Sequence, residues 1–139
     1  MRLFLDANVL FSAAHSERGR ARGLFSLAEN GFCSLVTSEH AIGEARRNLT
    51  TKSRGAIGDL EALLGIVTRV SEGGPGLVGW ASGLGLPEND APILAAAAAS
   101  DAELLVTGDR RHFGYLYGQT IGRVRVVSLR EALKMVSQQ

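Results

Sequence analysis

The residues most able to do chemistry in this chain are carboxylates at particular places. There are only five aspartates. Asp6 closes the apolar run Leu3-Phe4-Leu5, Asp109 follows Val106-Thr107-Gly108, and Asp90 opens an alanine-rich segment. Glu44 lies among Ala41, Ile42 and Ala45, where a carboxylate faces inward or sits at a boundary. Asp59 and Asp101 occupy exposed-looking helix or turn positions, where a solvated charge is the ordinary explanation. Several carboxylates brought to one place repel one another unless a cation or a proton separates them. Hard oxygen donors, without thiolates or clustered histidines, suit Mg2+ or Mn2+.

Whether these acids meet depends on the elements that carry them. Residues 3–5 read as a buried strand, and 9–14 as a short helix. The apolar spacing of Ala21, Leu24, Phe25 and Ala28 predicts a helix over 20–30, stopped at Asn30-Gly31. Residues 33–36 read as a second strand, after which Thr37 or Ser38 can cap a helix running to 49. A helix over 56–64 and a β-branched strand over 66–70 follow. Gly73-Gly74-Pro75-Gly76 reads as a loop, and 80–84 as the end of a short helix. Asn89 or Asp90 begins an apolar helix to 99, and strands over 103–107 and 124–127 come next. Ser128 caps a final helix to 136.

Strands and helices thus alternate along the chain, which predicts an α/β fold with a parallel sheet of about five strands and helices on both faces. Ligands in such sheets bind beyond the carboxyl ends of the strands. Asp6, Asp90 and Asp109 would all project at that rim.

Composition narrows the partners. At 139 residues, the chain suits one domain spanning 1–139, with a real core. It is 45% hydrophobic and 21% charged, with a formal net charge of +1, which argues against disorder and against whole-molecule electrostatic attachment to nucleic acid. Thirteen of its fifteen basic residues are arginine, whose forked guanidinium suits phosphate. The single cysteine, Cys33, excludes an internal disulfide and a Cys-based zinc site, and a reducing, cytoplasmic setting is the simple reading. The longest apolar run, residues 91–99, contains Pro92 and falls far short of the roughly 20 residues that span a bilayer, so no membrane partner is expected. Asp6 and Asn8 interrupt the N-terminal apolar stretch, which argues against a signal peptide.

Leu3-Phe4-Leu5-Asp6-Ala7-Asn8-Val9-Leu10 resembles the opening motif of PIN-domain ribonucleases. Glu44, in Glu39-His40-Ala41-Ile42-Gly43-Glu44, resembles their second acidic position. Asp90-Ala91-Pro92-Ile93-Leu94-Ala95 resembles the third, and Val106-Thr107-Gly108-Asp109-Arg110-Arg111-His112-Phe113 the closing motif. The resemblance implies a PIN-like three-layer α/β/α sandwich and a Mg2+- or Mn2+-dependent endoribonuclease. Many small stand-alone members are toxins of VapC type held inactive by an antitoxin, so RNA and a small antitoxin protein are the implied partners. A homodimer is a further candidate, for which an exposed apolar helix face could serve. Glu39 is the alternative second acid; Glu44 is preferred for its apolar flanks, with Arg46-Arg47 following on the outer side.

On this reading Asp6, Glu44, Asp90 and Asp109 are both the catalytic acids and the metal ligands, with Asp6 central because a strand end holds it rigidly. Asn8 and Thr107 would hold carboxylates or a water in place, against the plainer roles of helix cap and strand end. Arg110 and Arg111, directly after Asp109, are the candidate substrate contacts. Two further basic clusters, Arg18-Arg20-Arg22 and Arg46-Arg47-Lys52-Arg54, could grip RNA phosphates or simply be solvated faces. Trp80 and Tyr115 could stack bases, although packing is the default for tryptophan. His15, His40 and His112 are scattered and receive no catalytic role.

Two other functions compete. One is an inactive PIN-like binding module, against which the presence of all four acids speaks. The other is a haloacid-dehalogenase-like phosphotransferase using Asp6 as nucleophile; such enzymes carry a second Asp where this chain has Asn8. Gly83-Leu84-Gly85 is too incomplete to mark a nucleotide site.

Overall fold

A computed structural model describes residues 1–139. The chain order is β1 (Arg2–Leu5), α1 (Ala7–His15), α2 (Arg20–Glu29), β2 (Ser34–Ser38), α3 (Glu39–Lys52), α4 (Ile57–Leu64), β3 (Thr68–Val70) and α5 (Gly74–Ser82). The second half is α6 (Ala91–Ala99), β4 (Leu104–Val106), the single-turn α7 (Arg110–Phe113), β5 (Thr120–Ile121), β6 (Val124–Val127) and α8 (Leu129–Ser137).

The six strands form one sheet in the order β3-β2-β1-β4-β6-β5. Five run parallel, with Leu3 opposite both Leu35 and Leu104 and with Leu105 opposite Val126. Successive strand residues face opposite sides of a sheet. Leu3, Phe4 and Leu5 are nevertheless all completely buried, so both faces of β1 are covered by helices, giving a three-layer α/β/α architecture. The chain builds outward from β1 through β2 to β3, then returns to the other side of β1 to form β4. That reversal puts a crevice between the carboxyl ends of β1 and β4.

The capping residues read from sequence are in place. Ser38 accepts from the Ala41 amide at 3.3 Å and Ser128 from the Glu131 amide at 3.1 Å. Thr37 instead donates to the Leu5 carbonyl at 2.8 Å, tying β2 to β1. The helix over 20–29 stops at Asn30, and Gly31 follows at φ +83°.

Two expectations need correction, beside one addition. The expected parallel sheet of about five strands is present, and β5 extends it with a sixth, which pairs antiparallel with β6. Their two-residue turn opens with Gly122 at φ +66°, the left-handed conformation a tight hairpin requires. A two-residue strand carries no periodicity, so nothing in the sequence marked it. The third strand begins at Thr68 rather than at Ile66. Finally, Gly73-Gly74-Pro75-Gly76 is the start of α5, not a loop, with Pro75 in the first turn, where its fixed φ suits a helix. Gly73 packs against α6 so closely that a Cβ there would lie 2.6 Å from the Ala95 carbonyl. The small residues here serve close helix contact. At the other end of α5, the half-buried Trp80 ring packs against Gly122 in the β5–β6 turn.

Candidate metal centre

The crevice at the β1/β4 reversal is a polar cleft of about 630 Å³. Asp6, Glu44, Asp90 and Asp109 all line it, with Asn8, Arg47, Asn48, Asn89, Gly108 and His112 among the other lining residues. Three of the acids reach it from helix N-cap positions: Asp6 at α1, Asp90 at α6 and Asp109 at α7. Each is thus set by the strand or turn before it and the helix after it. Asp90 makes no side-chain capping bond of its own, which leaves its carboxylate to the cleft. Glu44 comes from α3 and is 22% exposed, whereas Glu39 lies outside the cleft and pairs with Arg69 at 3.0 Å.

Asp6 is the most deeply placed acid, at 3% exposure. Its Oδ1 accepts from the Ala7 amide at 2.7 Å. Its Oδ2 accepts from the Thr107 hydroxyl at 2.7 Å and from Asn8 Nδ2 at 3.3 Å. Thr107 Oγ1 in turn accepts from the Asp109 amide at 3.1 Å, and Asn8 Oδ1 accepts from the Gly108 amide at 2.8 Å. Asn8 and Thr107 therefore bind the loop after β1 to the loop after β4, with Asp6 at the centre. Burial pushes the Asp6 carboxyl up to about 6, and the negative charges of Asp90 and Glu44 add to the rise. The Thr107 and Ala7 hydrogen bonds oppose it. Burial also raises Asp90, reinforced by Asp109 and Glu44 and opposed by His112.

His112 was passed over in the sequence, yet its Nδ1 lies 2.9 Å from Asp90 Oδ2 and 2.8 Å from Asp109 Oδ2. Its backbone amide also donates to Asp109 Oδ1 at 3.0 Å. The signal was present: a residue three beyond an N-cap folds back over it. His40 is the other histidine near the site, with Nε2 3.8 Å from Glu44 and 3.0 Å from the Asn89 carbonyl. Arg110 and Arg111 are exposed on α7 and are not among the cleft-lining residues. Arg47 is exposed, as expected of the outer side, and also borders the cleft, whereas Arg46 is half-buried and turned to Glu61. Tyr115 is 52% exposed and hydrogen-bonded to the Leu84 carbonyl.

The donor set fits a hard divalent cation. All four acids offer oxygen, the one thiol, Cys33, is buried elsewhere, and Asp90, Asp109 and His112 bring ligand atoms within 4.8 Å of one another. A ring nitrogen, His112 Nδ1, already sits between two carboxylates there, where their mutual repulsion calls for positive charge.

The chain belongs to the PIN domain family, whose model matches residues 2–111. Among solved structures, it is similar to PAE2754 from Pyrobaculum aerophilum at TM-score 0.70 and 22% identity, over 100% of both chains. It is also similar to VapBC2 from Rickettsia felis, bound to a DNA fragment from their promoter, at TM-score 0.68 and 18% identity. That match covers 92% of this chain and 98% of the other. At such identities, the likeness is one of fold. A search of the curated proteins by sequence matched none.

Proposed function

We propose that this protein is a Mg2+- or Mn2+-dependent endoribonuclease that hydrolyses RNA phosphodiester bonds, and the toxin of a VapBC-type toxin–antitoxin pair. The observation that carries the reading is the meeting of Asp6, Glu44, Asp90 and Asp109 in one cleft, with Asp6 almost wholly desolvated. Asp6, Asp90 and Asp109 would hold the cation, and Glu44 would bind it or orient the attacking water. When bound, the ion supplies Lewis acidity, neutralising charge on the phosphate and activating water.

The chain's own groups do the positioning. Thr107 and Asn8 fix the Asp6 carboxylate through both its hydrogen bonds and its loop. His112 holds Asp90 and Asp109 together. The fold shared with R. felis VapBC2 supports a small antitoxin as partner, and a cytoplasmic location follows from that assignment. No helix of the chain is long and apolar enough to cross a membrane. The whole of residues 1–139 is read as one PIN-like domain, since β6, beyond the matched segment, pairs with β4.

The test is cleavage of single-stranded and structured RNA with Mg2+ or Mn2+. Wild type cleaves, chelator stops it, and Asp6→Asn, which keeps size but loses charge, lowers the rate at least about 100-fold. Expression of wild type, but not of Asp6→Asn, arrests growth, and the product of a small neighbouring gene relieves the arrest. Undiminished cleavage by rigorously purified Asp6→Asn would defeat the assignment. Normal growth with abundant soluble wild type would remove the toxin role and leave the nuclease.

A further inference from the structure

Helix α3 carries two adjacent arginines with different fates. Consecutive helical residues point about 100° apart. Arg46 Nε and Nη2 donate to Glu61 at 2.8 and 3.1 Å, so its guanidinium is spent on holding α3 to α4. Arg47 lies three residues after Glu44, on the same helical face, and borders the cleft. No carboxylate comes within ion-pair distance of it, although four line the same cavity. Those acids have nearer partners: His112 for Asp90 and Asp109, His40 for Glu44, and Thr107 with the Ala7 amide for Asp6.

The Arg47 side chain is also given a bed. Its Nη1 lies back along α3 over Gly43, where a Cβ would stand only 3.3 Å away. The head is thus laid one turn toward the amino end of α3, against Gly43. A phosphodiester approaching this cavity meets four negative charges, and a single divalent ion would offset only part of them. The wall needs a further positive group with free donors, and Arg47 is the arginine among the lining residues.

We infer that Arg47 receives a phosphate of the RNA strand as it enters the cleft, positioning the substrate with its guanidinium fork while Gly43 keeps the space open. A planar, permanently charged fork can offer two parallel N–H bonds to one phosphate. This assignment rests on the ribonuclease reading above and displaces Arg110 and Arg111 as the main substrate contact.

The test is steady-state cleavage of a fluorescent single-stranded RNA in Mn2+ over a series of KCl concentrations. Arg47→Gln raises KM about 5- to 20-fold, changes kcat less than about 3-fold, and lowers the slope of log KM against log salt by about 0.7, the signature of one lost phosphate contact on a single strand. Arg47→Lys recovers the salt slope but only part of KM, since it keeps charge without the fork. Gly43→Ala raises KM by an intermediate amount. Arg46→Gln lowers the melting temperature and leaves KM and slope alone. The rise in melting temperature on adding Mn2+, which needs no turnover, is the same in Arg47→Gln as in wild type. If KM and the salt slope are unchanged in Arg47→Gln, or if kcat alone falls, the inference is overturned, and an acidic segment of a partner protein becomes the occupant to seek. If wild type cleaves no RNA with either ion, the ribonuclease reading falls, and this inference with it.

Discussion

At the scale of single residues, Asp6 sets the terms. Its folded-state value of about 6 stands above the ordinary 3.8, first because it is buried and then because Asp90 and Glu44 are near. Between those two values the native protein binds a proton that the unfolded chain releases. The stability associated with a neutral Asp6 is therefore fully present below about pH 3.8 and is lost as pH rises through about 6. The difference is of the order of 2–3 kcal/mol, and Asp90 shifts in the same direction. Chelator-treated wild type should melt at a lower temperature at pH 7.5 than at pH 5, and Asp6→Asn should lose most of that slope. The amide gains about 1 kcal/mol at neutral pH, less than the full difference, because its NH2 must face Thr107 and Asn8. Mn2+ should restore wild type at pH 7.5 and do little for the variant. A wild-type melting temperature that climbs with pH in chelator would contradict this account.

The same scale shows what the sequence could reveal. The four acids were legible because each sits in a short contiguous motif. His112 and Arg47 were not, because their places depend on direction. His112 reaches Asp90 only because α7 is one turn that folds residue 112 back over its cap. Arg47 and Arg46 are indistinguishable as letters and are separated only by which side of α3 faces Glu61.

At the scale of elements, α5 and α6 show how spacing is set. Alternation of strand and helix was readable from apolar runs and capping residues, and Ser38 and Ser128 fell where hydroxyl chemistry put them. The start of α5 was not readable, since glycines that allow close packing look the same as glycines that make a loop. The distinction gives a paired prediction. Gly73→Ala puts a methyl 2.6 Å from the Ala95 backbone, so α5 must move off α6, at a cost of about 1–3 kcal/mol. Gly76→Ala, inside the same helix with open space around it, should stabilise by up to about 1 kcal/mol. Urea midpoints of the two variants should move in opposite directions; equal shifts would contradict the packing role of Gly73.

At the scale of the whole molecule, the cleft depends on chain far from its motifs. The matched family segment ends at residue 111, yet β6 pairs with β4 beyond it. The Thr107 amide donates to the Val127 carbonyl at 3.1 Å, and the Tyr117 hydroxyl donates to the Thr107 carbonyl at 2.9 Å. Val124, Val126 and Val127 are buried, and α8 packs on β4 and α2. A fragment of residues 1–111 would bare a central strand along its edge and one face, so it should show no cooperative melting by circular dichroism. A sharp transition in that fragment would mean that the last three elements are an appendage.

The contact between Trp80 and Gly122 has a practical consequence. Trp80 is the only tryptophan in the chain, and its ring rests on the β5–β6 hairpin rather than beside the acids. Indole emission is therefore a built-in optical gauge of whether that hairpin is seated, readable without a dye and in the presence of added metal or RNA.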